Sequence, residues 1–458
     1  MSGVKHPVFL GVLAMALVAG LWGLGVVKPP PRGAWAQPAP GGRGKPATTA
    51  QRIGLDLALA RLGPQAMPTG EGVVMGHVEG TPERYLPRWR SGRFRGVEFH
   101  QRSGSAQVLD HADATARVLY GRQGLAPGVS QVHCFAVAHW LGNAFLRVGL
   151  MAPPLRDKPR VYNHSWISDD RHIAVDALRR VDEVIDRDGV IMCVGVNNGR
   201  VSHVPALLGS AYNVIAVGSA SGASSGGYTR IEGEGRCKPD LVAPGGKTSF
   251  TTPVVAACAA RLLEMADGMS PLAQRPEVIK AVLMAGAVKP WNWRPKEGKP
   301  LDEHLGAGVV NLDHSLRLLE AGPAQPGRVS TPVGWDAQQA APEQTLLYEW
   351  DVAFPPSELA VALTWHRRIE ALEGHNVVAD QPQRLMIDHL ADFDLRLIYI
   401  DPTGQEGVIA QSTSRIDNVE HIYLTDAPPG HYRLEVIRRD DGESQAWLYG
   451  LAWRIEPP

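Results

Sequence analysis

The chain reads as an α/β protein with a parallel sheet and helices on both faces, followed by a smaller all-β sandwich. Three observations predict this. From about residue 70 to residue 322, apolar strand-length runs alternate with amphipathic helix-length runs, the pattern of repeated βα units. Residues 323–345 are rich in Pro and Gln and read as a linker. From 346 to 458 the pattern changes to seven short β runs separated by turns such as Asp401-Pro402-Thr403-Gly404 and Pro428-Pro429-Gly430, which suits a sandwich.

Length and composition bound the function. At 458 residues the chain has room for more than one domain, and 44% hydrophobic residues supply a core. A formal net charge of −1 gives no electrostatic case for nucleic acid. Lys5 precedes an uncharged apolar run from Val8 to Val27, and a Pro-rich spacer leads to Ala34-Trp35-Ala36, a small-residue pattern that signal peptidase cuts. Residues 1–36 are therefore expected to be an export signal, or a membrane anchor if 8–27 are retained. Either way the folded part is expected outside the cytoplasm, secreted or periplasmic. The four cysteines, Cys134, Cys193, Cys237 and Cys258, fit no metal-ligand spacing. Export permits disulfides, and the apolar runs around three of them suit free buried thiols equally.

Residues 37–69 read as a short tail and minimal propeptide, with a helical pattern over Ile53, Leu57, Leu59 and Leu62. The first core strand, Gly72 to Val78, ends on Glu79 and Gly80. A carboxylate at the C-terminal end of a parallel strand can orient a histidine; His77 and Asp110 are the alternatives, with His77 expected off the other face. His111 opens an Ala-rich helix ending at Gly121, and an Ala126-Pro127-Gly128 turn follows. A strand from Val129 to Ala138 and a helix from Trp140 to Val148 come next. Residues 171–188 form an amphipathic helix with Ile173, Val175, Leu178, Val181, Val184 and Ile185 on one face. The strand Val190–Val196 runs into Asn197-Asn198-Gly199.

The run from Lys238 to Leu263 reads as strand, sharp turn and enclosed helix. It puts Ser249 at a helix N-terminus, with Pro253 expected in the first turn. There the backbone N–H groups and the dipole favour an oxyanion; a serine at that place can also serve simply as a cap.

Lys238-Pro239-Asp240, Ala243-Pro244-Gly245 and Thr248-Ser249 with Pro253 resemble the serine box of the subtilisin-like serine proteases, except that Lys247 stands where that family usually has Gly. The resemblance extends over about residues 70–320. It implies a triad of Glu79, His111 and Ser249, with Glu79 where the family has Asp, and Asn197 as oxyanion donor with Asn198 as the fallback. It matches Val161-Tyr162-Asn163-His164-Ser165-Trp166 to the family's substrate-binding strand, so Ser165 and Trp166 are candidate substrate contacts. Around His111, Asp113 and Arg117 replace Thr and Gly. The following sandwich looks like the jelly-roll-type accessory domains of bacterial secreted proteases.

The activity this implies is endopeptidase cleavage of a protein or peptide through an acyl-enzyme, with no cofactor required. No metal ligand set is expected. Structural calcium is allowed, with Asp392, Asp394 and Asp401 as candidates that read first as solvated turn carboxylates. Two other functions fit the same residues: an inactive relative kept for binding, and an adhesion or carbohydrate-binding role for the sandwich.

Overall fold

The computed structural model describes residues 47–457, apart from 202, 234, 357, 373–383 and 426. The expected export signal therefore lies outside the described residues. Among these, no helix is long and apolar enough to cross a membrane.

Seven strands form the central sheet: β1 (Val74–Glu79), β2 (Glu98–Gln101), β3 (Gln131–Ala136), β4 (Val161–His164), β5 (Ile191–Gly195), β6 (Ile215–Ser219) and β7 (Leu241–Ala243). They lie in the order β7-β6-β5-β4-β1-β3-β2, every neighbouring pair parallel. Strands buried on both faces need continuous apolar runs, as in Ile191-Met192-Cys193-Val194. Eight helices are described: α1 (Thr49–Arg52), α2 (Leu55–Leu62), α3 (Asp110–Leu119), α4 (Val137–Leu141), α5 (Ala174–Asp188), α6 (Thr248–Asp267), α7 (Pro276–Ala285) and α8 (Leu312–Glu320).

Several boundaries differ from those expected. The helical pattern at 53–62 breaks at Gly54, whose φ of 71° is left-handed. Ile53 and Ala58 become the buried residues, while Leu57 and Leu59 are exposed. The segment is tied to α8, with the Leu312 amide donating to the Ile53 carbonyl at 2.7 Å and Arg61 pairing with Asp313 at 2.9 Å. The strand expected to run on to Ala138 stops at Ala136, and the helix expected from Trp140 is α4, ending at Leu141. In α5, Val175 is exposed and Ala174 and Ala177 face the core in its place.

The sandwich has eight strands: β8 (Val333–Ala340), β9 (Thr345–Val352), β10 (Glu358–Trp365), β11 (Phe393–Ile400), β12 (Glu406–Ser412), β13 (Val419–Leu424), β14 (Gly430–Arg438) and β15 (Trp447–Glu456). They form two antiparallel sheets, β8-β15-β10-β13 and β9-β14-β11-β12. All seven expected runs are strands. The eighth, β8, lies inside the stretch read as linker; its Trp335 and Ala337 are buried, whereas the abundance of Gln and Pro around it masked its alternation.

The first sheet is buried on both sides. Val361 and Leu363 of β10 point into the sandwich with Trp350 and Trp453, and Ala362 and Ala452 point outward into the core shared with α7. This alternation is the period-2 geometry of a strand with apolar residues on both faces. Contact is backbone-close at Gly450, where an added Cβ would lie 2.5 Å from the Glu277 carbonyl carbon. Nearby, the Thr364 hydroxyl donates to the Glu277 carbonyl at 2.6 Å.

Beneath the turn before α6, Asp240 is buried and accepts from Lys238 Nζ at 2.8 Å, Lys280 Nζ at 2.9 Å and the Ala216 amide at 2.7 Å. Burial pushes the Lys238 pKa down to about 7 despite the pull of Asp240. The Lys-Pro-Asp element is thus a structural tie that fixes β6, β7 and α7 together.

Candidate functional site

The C-terminal ends of β1 and β5 and the N-terminal turns of α3 and α6 converge on one face of the sheet. Glu79 ends β1 and is buried. Gly80 follows with φ of 58°, in a turn so tight that a Cβ there would lie 2.1 Å from the Arg84 carbonyl oxygen. His111 is in the first turn of α3, half-buried, and its Nδ1 lies 2.9 Å from Glu79 Oε2.

Burial favours protonation of Glu79, but the His111 hydrogen bond and the neighbouring His77 ring outweigh it and hold its pKa at about 2. In return, the hydrogen bond to Glu79 raises the His111 pKa against burial, and the charge of Lys247 opposes the rise. A carboxylate fixed on Nδ1 leaves Nε2 as the basic nitrogen of the neutral ring.

Ser249 is the second residue of α6, and its helix start is built by three neighbours. Asn198 Oδ1 accepts from the Thr248 amide at 2.8 Å, so Asn198 takes the capping role that Lys247, at the N-cap position, does not. Pro253 stands past the first turn, not in it, and has no N–H to give the Ser249 carbonyl four residues earlier. The Ser165 hydroxyl donates to that carbonyl at 3.0 Å and accepts from Asn163 Nδ2 at 3.1 Å. Ser165 therefore reaches the backbone of Ser249. The ring of Phe250, next in sequence, is 6.1 Å from that of His111. The Ser249 hydroxyl makes no hydrogen bond among the described residues.

Asn197 lies two residues past the end of β5. Its amide donates to Ser225 Oγ at 2.8 Å, and its side chain makes no hydrogen bond among the described residues. The two asparagines thus divide: one caps α6, and the other keeps its side-chain amide uncommitted. Trp166 is half-buried, and its Nε1 donates to His164 Nδ1 at 3.2 Å. His164 is fully buried, which pushes its pKa down to about 3.

The departures around His111 fall away from the pair. Asp113 accepts from the Arg88 amide at 3.0 Å, and Arg117 is exposed. Asp110 is exposed and pairs with Arg88 at 2.6 Å. His77, expected to point off the other face, does not: residues two apart on a strand share a face, and His77 Nε2 lies 3.7 Å from Glu79 Oε1. That spacing was the signal available in the sequence. Thr115 and Tyr120, which also reach this group, carried none.

All four cysteines are free and buried. Asp401 accepts from the Thr403 and Gln405 amides of its own turn at 2.8 and 2.9 Å, and Asp394 pairs with Arg439. Elsewhere, Asp186, Glu277 and His366 bring ligand-type atoms within 4.8 Å of one another. His366 Nδ1 lies 3.0 Å from Asp186 and 3.3 Å from Glu277, which Arg275 also holds at 2.7 Å. This network joins the sandwich to α5 and α7.

Residues 136–308 match the signature of the Subtilase family, a span that contains Asn197 and Ser249 and begins after Glu79 and His111. Among solved structures the chain is similar to the self-cleaved protease domain of PatA, at 16% identity, covering 55% of this chain and 98% of that one with a TM-score of 0.39. It is also similar to a protease from Pseudoalteromonas arctica, at 12% identity, covering 58% and 94% with a TM-score of 0.40. MycP1 from Mycobacterium smegmatis is similar at 16% identity, covering 60% and 86% with a TM-score of 0.37. No curated protein matches the chain.

Proposed function

Taking the chain as subtilisin-like on its match over residues 136–308, we propose that it is a serine endopeptidase working outside the cytoplasm. The observation that carries this is the 2.9 Å contact between His111 Nδ1 and buried Glu79, with the ring of Phe250, the residue after Ser249 in the first turn of α6, 6.1 Å from that of His111.

In this reading His111 Nε2 takes the proton of the Ser249 hydroxyl as its oxygen attacks the peptide carbonyl. Glu79 stays ionised, fixes the tautomer and stabilises the imidazolium. The tetrahedral oxyanion is held by the Ser249 amide at the start of α6 and by the Asn197 side chain. His111 then returns its proton to the leaving amine, and water hydrolyses the acyl-enzyme by the reverse sequence. No cofactor is needed. The substrate backbone runs along Ser165 and Trp166, and the Trp166 and Ile167 side chains narrow the site where the family carries smaller residues.

The test is labelling of the purified protein by a fluorophosphonate probe, with Ser249→Ala in parallel. Labelling of the parent alone is expected. A folded parent that stays unlabelled, after any latent precursor form has been excluded, would overturn the reading in favour of a binding protein.

A further inference from the structure

Around the Oε1 atom of Glu79, the oxygen that His111 Nδ1 does not hold, stands a row of buried polar groups that the triad does not use. The Tyr120 hydroxyl lies 2.5 Å from His77 Nδ1. His77 Nε2 lies 3.0 Å from Thr115 Oγ1, and Thr115 Oγ1 lies 3.2 Å from Glu79 Oε1. Tyr120, His77 and Thr115 are all buried.

Their protons can be placed by elimination. The Tyr120 hydroxyl has no other partner among the described residues, and burial raises its pKa, so it keeps its proton and donates it to Nδ1. His77 then carries its hydrogen on Nε2 and donates to Thr115 Oγ1. The threonine hydroxyl has the Glu79 carboxylate and the His111 and Ala112 carbonyls within 3.2 Å, and the charged acceptor is the stronger. Each bond in the resulting chain polarises the next toward Glu79.

We propose that His77 is a positioning residue for His111, acting through Thr115 and Glu79, in a directed hydrogen-bond relay that starts at the Tyr120 hydroxyl. Its physical role follows from Glu79 being a glutamate. The longer side chain has one more rotatable bond than aspartate, and one oxygen on His111 does not fix it. The Thr115 hydroxyl on Oε1 holds the other end. The remaining titratable groups facing this row are His164 on β4, Cys134 on β3, Asp113 on α3, and Lys247, which acts on His111.

The inference rests on the hydrolase reading only for its effect on rate, so the test measures the relay directly as well. The full chain is labelled with 15N-histidine, its imidazole nitrogens are followed against pH by NMR, and His77→Gln assigns the signals. In the parent, His77 is expected as the Nε2–H tautomer. Tyr120→Phe is expected to mix the tautomers, and Thr115→Val to remove the donor on Oε1. Both leave more carboxylate charge for His111, whose titration midpoint moves to higher pH. Fluorophosphonate labelling of Ser249 slows about tenfold, and Thr115→Ser restores both readouts. An Nδ1–H tautomer in the parent, or an unmoved His111 midpoint in folded Tyr120→Phe and Thr115→Val, would overturn the relay. A relay intact by NMR in a parent that does not label would sink the hydrolase reading and leave the relay standing.

Discussion

Ser165 donates its hydroxyl to the carbonyl of Ser249 at 3.0 Å, filling the bond that Pro253 cannot make. The first turn of α6 is thereby anchored to the residue that follows β4, through the backbone of the residue proposed to attack substrate.

Ser165→Ala removes that donor and leaves a buried carbonyl unpaired. Unpaired buried groups cost about 1–3 kcal/mol, so the urea midpoint is expected to fall accordingly. Because the turn also loosens, probe labelling at Ser249 should slow in the same variant. Unchanged stability would mean that water replaces the hydroxyl.

The two asparagines after β5 are expected to separate in their effects. Asn197→Ala should lower peptide turnover by about 10²–10³-fold, the cost of one oxyanion donor, with little change in melting. Asn198→Ala should cost about 1 kcal/mol of stability as a lost helix cap. Turnover assays and thermal melts on both variants check this, and a reversed pattern would exchange their roles.

Stability should depend on pH through Glu79 and His111. The Glu79 pKa lies at about 2 against an ordinary 4.5. Its contribution is therefore present above about 4.5 and lost as pH falls toward about 2, and amounts to about 3 kcal/mol. His111 is shifted upward, so its share is full below its unfolded value of 6.5 and lost as pH rises through the folded one. Unfolding free energy measured from pH 2 to pH 9 should be highest between these limits, and Glu79→Gln should flatten both slopes.

Gly450→Val places a side chain against the backbone of Glu277, where even a Cβ would be 2.5 Å from the carbonyl carbon. Overpacking of this kind costs about 1–3 kcal/mol. Calorimetry should show a lower transition, with separate unfolding of the sandwich if docking is lost. A parent-like melt would mean that β15 and α7 part without cost.

The four thiols should be unreactive in the folded protein. All are buried, and for Cys258 burial pushes the pKa up to about 12, which withholds the thiolate. Iodoacetamide is expected to modify none of the four in buffer and all of them in guanidinium.

The sequence by itself determined the order of elements, the parallel sheet and the sandwich, because each rests on a local period of apolar residues that burial enforces. It also placed Glu79, His111 and Ser249 at the ends of their strand and helices. Where several local solutions were equally good, only the tertiary structure decided. Gly54 broke a helix whose pattern ran through it, and β8 became a strand because β15 offered it an edge. Asn198 took the cap because α6 arrives beside it. The placing of His77, Thr115 and Tyr120 around Glu79 was likewise decided by the packing of α3 on β1. Hydrogen bonds between residues distant in sequence depend on approach and angle at the scale of an ångström, and neither periodicity nor residue type encodes that.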